Sequence, residues 1–195
     1  MPTRTTPEGT SAARARLLET ATRLFYREGI HSVGVDRIIA EAGVTRATFY
    51  RHFPGKEDLV EAYLGVEDGI IRGAFDRARE LSDDPRRLLE LVIEGLADDV
   101  SRFHTRGCPF INAAAEYPDA ESGVRRAVAE HREWFRSELE ALVTAAGSTD
   151  APTAAGQLVL LRDAAMVGGY LDGWDRVRPA FVDAATRAAG LDSSE

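Results

Sequence analysis

Two short apolar clusters of helical spacing, joined by a tight glycine-marked turn, constrain this chain more than any other stretch. Val35, Ile38, Ile39 and Ala42 mark one face of a brief helix. Gly43 ends it, because glycine accepts the left-handed backbone that closes a helix C-terminus. Val44 follows, then Thr45, whose hydroxyl suits the N-cap of a second short helix, Arg46 to Phe53, halted by Pro54-Gly55. Such a pair packs at a steep angle, with its inner face apolar and the outer face of its second helix free. Val35, Ile38, Ile39, Val44, Phe49 and Phe53 supply the inner face.

A helix-turn-helix of this kind, spanning Val35 to Phe53, is expected to place its second helix in the major groove of DNA. Arg46, Thr48, Arg51 and His52 lie among the positions left for the groove. Arg46 stands at the helix start, where a guanidinium reaches a guanine edge or a phosphate. Thr48 can meet a base or a thymine methyl. Tyr50 ends a rigid ring in a hydroxyl that can donate to phosphate, and Lys56 opens the next helix, where its ammonium and the free amides can meet phosphate together.

The rest of the chain reads as helix. Leu17, Leu18, Ala21, Leu24 and Phe25 define a first amphipathic helix, starting near Thr10 or Ser11 and ending at Gly29. Residues 1–10, rich in Thr, Pro and Gly, are expected to form a flexible arm. Beyond Lys56, helical patterns run over Leu59–Leu81, Arg86–Phe103, Pro109–Glu116, Glu121–Ala146, Thr153–Leu171 and Arg178–Ala189. Neither strand alternation nor an internal repeat appears, so the expected fold is all-α. A three-helix DNA-binding domain over 11–55 is followed by a larger helical ligand-binding and dimerisation domain over 56–195.

Charge distribution suits that division better than total charge does. The net charge of −8 disfavours phosphate, yet residues 1–56 carry +4 and the remainder −12. The single cysteine, Cys108, rules out an intrachain disulfide and fits a reducing compartment. No apolar run approaches the roughly 20 residues of a membrane span, and the N-terminus lacks a signal-peptide pattern, so a cytoplasmic protein without membrane contact is expected. There is no glycine-rich phosphate loop, nucleophile elbow or metal-ligand cluster, and Glu130, His131 and Glu133 sit among arginines on a charged helix. An enzyme is therefore not expected, nor is a cofactor or a metal.

The run Val44-Thr45-Arg46-Ala47-Thr48-Phe49-Tyr50-Arg51-His52-Phe53-Pro54-Gly55-Lys56-Glu57-Asp58-Leu59 resembles the signature of the TetR/AcrR regulators, and Ala21, Leu24, Phe25, Gly29, Ile38 and Ala42-Gly43 fit the family's spacing. The resemblance covers about residues 11–65. It implies a homodimeric regulator that binds a double-stranded operator and leaves it when a small molecule enters the larger domain, a repressor in the first reading, with operator position relative to the promoter deciding between repression and activation. It also implies phosphate-contacting roles for Thr45, Tyr50, His52 and Lys56, with Arg46 and Thr48 reading bases. Two positions depart from the family: Gly34 stands where a capping Ser or Thr is common, and Ala47 replaces a frequent Gly.

Helical bundles bind small molecules between helices, in apolar and aromatic pockets with a few polar groups. The residues of that kind are Phe103, His104, Cys108, Phe110, Tyr117, His131, Trp134, Phe135, Met166, Tyr170 and Trp174, most of which would serve equally as core. Cys108 precedes Pro109 at a helix start, where a thiolate sensor and an inert buried thiol are both open readings, the second being commoner. Leu158, Leu161, Ala165, Gly168 and Leu171, with Phe181, Val182, Ala185 and Ala188, offer two apolar faces for a twin subunit or for the chain's own core. A symmetric dimer would set two recognition helices about 34 Å apart, or a near multiple, on a partly palindromic site.

Overall fold

The computed structural model describes residues 7–102 and 105–192; Phe103, His104 and the first six residues of the expected arm lie outside them. Among the described residues the chain forms helices α1 (Pro7–Glu28), α2 (Val35–Ala42), α3 (Arg46–His52), α4 (Lys56–Leu81), α5 (Pro85–Arg102), α6 (Pro109–Glu116), α7 (Gly123–Ala145), α8 (Ala151–Asp172) and α9 (Trp174–Ala188), and no strand. The all-α expectation holds.

Helix ends follow local chemistry. Helix α1 begins at Pro7, inside the stretch expected to be an arm, because proline is preorganised for a first helical position and has no N–H to leave orphaned. Gly43 closes α2 in the left-handed region (φ 64°, ψ 40°), and the amide of Val44 reaches back to Ile39 O at 3.2 Å. Helix α4 starts at Lys56, ahead of its apolar face, because Asp58 Oδ2 accepts the Gly55 amide at 2.8 Å. Helix α9 starts at Trp174, not at Arg178: Arg176 N–H bonds Gly173 O at 3.3 Å, and Pro179 lies inside the helix.

The chain divides into two compact units, residues 1–67 with 112–128 and residues 68–111 with 129–195. In the first, α1 packs on α2 and α3 around buried Leu17, Leu24, Ile38, Phe49, Leu59 and Tyr63. Arg37 pairs with Glu28 (2.5 Å) and Glu41 (2.8 Å), and Arg23 with Glu41 (2.7 Å), pinning the outer side of α2 to α1. In the second, α8 packs on α9, and α5 on both, over Phe75, Leu89, Phe110, Phe135, Leu139, Leu158 and Met166.

Packing separates the residues of the two apolar faces left open to a twin or to the chain's own core. Leu158, Ala165, Phe181 and Ala185 are buried within their own subunit. Leu171, of the same set, falls instead with Leu160, Ala164 and Val167 on the stripe that α8 leaves to solvent, spaced by four, three and four residues, with Leu160 and Leu171 each 69% exposed.

Candidate nucleic-acid interface

Helix α3 is held at both ends and in its middle. Thr45 Oγ1 accepts the Thr48 amide at 3.1 Å and lies 2.9 Å from the Thr48 hydroxyl, so the expected N-cap is present. Gly34, by contrast, caps α2 through backbone alone, with no side-chain hydrogen bond. Phe49 is fully buried and meets Tyr50 edge-on at 5.1 Å and Phe53 at 6.0 Å. With Phe49 locked inward, the periodicity of seven helical residues turns Arg46, Ala47, Tyr50 and Arg51 to solvent. Tyr50 is 48% exposed, an aromatic ring left out of the core.

The polar residues differ in what already engages them. Arg46 pairs with Asp36, the acid of the first turn of α2. Thr48 is half-buried by its bond to Thr45. His52 is half-buried; its Nε2 is enclosed without a hydrogen-bond partner, and burial, with Arg51 and Arg14 nearby, pushes its pKa below the usual imidazole value. Lys56 lies 5.9 Å from the Phe25 ring, and burial lowers its pKa against the opposing pull of Glu116. Thr45, Arg46, Thr48, Tyr50, Arg51, His52 and Lys56 thus fall on α3, its N-cap and the start of α4.

Two residues that sequence reasoning passed over belong to this unit. Arg14 on α1 stands over the Phe53 ring at 5.2 Å, adding a cation beside the C-terminal end of α3. Glu116 accepts the amides of Ile30 (2.8 Å) and His31 (2.5 Å) and meets His31 Nδ1 at 3.1 Å, closing the turn after α1. No local pattern announces Glu116, because its partners lie 86 and 85 positions away.

In the second unit the expected ligand residues are mostly core. Cys108, Phe110, His131, Phe135 and Met166 are buried, and Trp134 is half-buried. Phe110 stacks on His131 at 3.6 Å, His131 Nδ1 meets Asp68 at 2.8 Å, and Trp134 carries Arg72 over its ring at 4.0 Å. Tyr170 is exposed on α8, Trp174 lies beside Phe181 on α9, and Tyr117 belongs to the first unit, where it stacks on His31. A cavity of about 400 Å³ opens between α4 and α5 instead, with Ile71, Phe75, Val92 and Leu96 in its wall, and α8 contributes Arg162. None of the described ligand candidates lines it. Arg162 was legible in the sequence: it shares the buried face of Leu158, Ala165 and Met166 at helical spacing, a charge where an apolar residue belongs.

Residues 17–63 match the family profile described as bacterial regulatory proteins, tetR family, and residues 85–187 match the tetracyclin repressor-like C-terminal domain. The crystal structure of SCO4454, a TetR-family transcriptional regulator from Streptomyces coelicolor, superposes with a TM-score of 0.89 at 46% identity, covering 94% of this chain and 97% of that one. Over 126 residues the chain is 41% identical to the transcriptional regulator TtgR of Pseudomonas putida, covering 58% of this chain and 59% of that protein. It is 29% identical over 106 residues to the regulator YxaF of Bacillus subtilis, covering 53% and 56%. The alignments thus span little more than half the length of these two relatives. Two family domains in order, carrying the turn and capped helix described above, establish that the chain belongs to the TetR family of helix-turn-helix transcriptional regulators and is not an enzyme.

Proposed function

We propose that this regulator is a cytoplasmic repressor that holds a partly palindromic operator as a homodimer and is released by a small molecule bound in its helical C-terminal part. Residues 11–55 supply the DNA-binding domain, with Lys56 at its edge, and residues 56–195 the ligand-binding and dimerisation domain. The observation that carries the reading is the outward face of α3: Phe49 is sealed in while Arg46, Tyr50 and Arg51 stand in solvent. In that assignment Thr45, Tyr50, Arg51, His52 and Lys56 hold phosphates, and Arg46 and Thr48 read base edges.

Two features support the finer parts. The cavity between α4 and α5 is within the range that takes small organic molecules. The stripe Leu160, Ala164, Val167 and Leu171 is an apolar helix face turned to solvent, which suits a second copy of the chain. Among the described residues no helix is long and apolar enough to cross a membrane.

In vitro transcription from a promoter carrying the bound operator tests the direction of control. The expected result is less transcript as the protein is added; more transcript would make it an activator and overturn the repressor assignment.

A further inference from the structure

We infer that the cavity between α4 and α5 takes an amphiphilic monocarboxylate, its carboxylate on the guanidinium of Arg162 and its aliphatic body along Ile71, Phe75, Val92 and Leu96. The inference rests on the proposal that the helical C-terminal part is the ligand-binding domain, and names the chemistry of its ligand.

Arg162 is 3% exposed and cannot be deprotonated at any ordinary pH. Among the described residues its partners are few, and one face of the guanidinium lies 5.6 Å from the Phe135 ring. Nη1 donates to Cys108 Sγ at 2.9 Å, and sulfur is a weak acceptor. Asp163 pairs with it loosely, its Oδ1 at 3.6 Å from Nη1, while its Oδ2 holds Arg132 more closely at 2.9 Å. Among the described residues Nε is enclosed with no hydrogen-bond partner. Burial penalises this cation, and the field of Cys108, Asp163 and Asp99 outweighs that penalty, so it stays charged. A buried guanidinium short of acceptors is costly, and a carboxylate offers the two parallel acceptors that fit its fork.

The surroundings select the rest of the molecule. Among the described residues the wall above Arg162 is chiefly aliphatic, with Phe75 its one aromatic ring, so an alkyl or alicyclic body fits better than a flat polar one. Asp98 and Asp99 also line the cavity, which disfavours a second anionic group on the ligand. Asp98 is half-exposed and paired with Arg178 at 3.7 Å, so it offers an amine less than Arg162 offers an acid.

Calorimetric titration of the full chain without DNA, at neutral pH and below micellar concentrations, compares decanoate with decan-1-ol and decylamine. Decanoate should bind at least roughly tenfold tighter than either. Arg162→Met should abolish that preference while leaving decan-1-ol binding in place. Should Arg162→Met not fold, Gly95→Phe decides: Gly95 lines the cavity, and a Cβ there meets nothing within 4 Å, so the helix backbone accepts a side chain at the cavity wall. Gly95→Phe should abolish decanoate binding. Absence of decanoate binding, equal binding of the alcohol, or full binding by Gly95→Phe would each overturn the inference. Decanoate binding without loss of DNA would refute ligand release alone; release by another compound, with no decanoate binding, would refute the carboxylate site alone.

Discussion

Thr45 carries two roles that a substitution series can separate. Its Oγ1 accepts the Thr48 amide at 3.1 Å, capping a helix of only seven residues, and the same hydroxyl is proposed to meet a phosphate. Thr45→Ala removes the cap, at a cost of about 1 kcal/mol. For a chain of this size that corresponds to a melting temperature lower by about 2–4 °C. Thr45→Ser keeps cap and hydroxyl, so stability and binding should both stay near those of the parent. Thr45→Asp is the decisive variant: a carboxylate caps as well as a hydroxyl, restoring the melting temperature, but it sets a negative charge beside phosphate. Two unit charges about 4 Å apart repel by about 4 kcal/mol at an effective dielectric near 20. Even a fraction of this, about 1.4 kcal/mol, weakens DNA binding tenfold. Circular dichroism melts and fluorescence anisotropy on one operator duplex read the two effects independently. Parental affinity in Thr45→Asp would refute the phosphate role, and an unchanged melting temperature in Thr45→Ala would refute the cap.

Arg46→Ala should relax preference at particular base pairs by about 1–3 kcal/mol, measured by competition among operator variants, and equal loss on every sequence would make Arg46 a phosphate contact. Since Arg46 is paired with Asp36 in the free chain, Asp36→Asn should tighten binding; weaker binding would contradict a guanidinium that must leave its acid to reach DNA. Acid should destabilise the fold through His131, whose pKa is held below 6.5 by burial, with Arg162 and Arg72 adding to it against the hydrogen bond that Nδ1 donates to Asp68. The unfolded chain then takes the proton first, so this contribution is complete above about pH 6.5 and is lost as pH falls towards the lower folded value, by at most about 1.4 kcal/mol per pH unit. Urea melts of the parent and His131→Phe should show a shallower decline in the variant, and identical slopes would refute the assignment. Leu160→Glu with Val167→Glu should give a monomer by light scattering with little change in its own melting, whereas a persisting dimer would place the interface elsewhere.

Much of the fold was legible because its signals are local. Gly43, Thr45 and Pro54-Gly55 set the limits of α2 and α3 through backbone conformation and capping, which act within a few residues. Phe49, with its helical phase, then decides which side chains of α3 face out. The second unit was less legible because apolar spacing marks a face without saying what covers it. Leu158 and Ala165 are covered by their own chain, while Leu160 and Val167, equally apolar, are not. The aromatic residues drew attention as pocket candidates, yet Phe110 and Phe135 close on His131, and the cavity is walled chiefly by aliphatic residues of α4 and α5. Contacts between distant residues, such as Glu116 with the amides of Ile30 and His31, leave no mark in spacing at all.

The central claim, that α3 reads DNA, is tested most directly by equilibrium binding of the full chain to the duplex upstream of its own gene and to random duplex, over a range of salt. The expected result is preference for one duplex and an affinity falling steeply and linearly in the logarithm of salt concentration, with the slope reduced by about one in Lys56→Ala. Binding with no sequence preference and no salt dependence would contradict it.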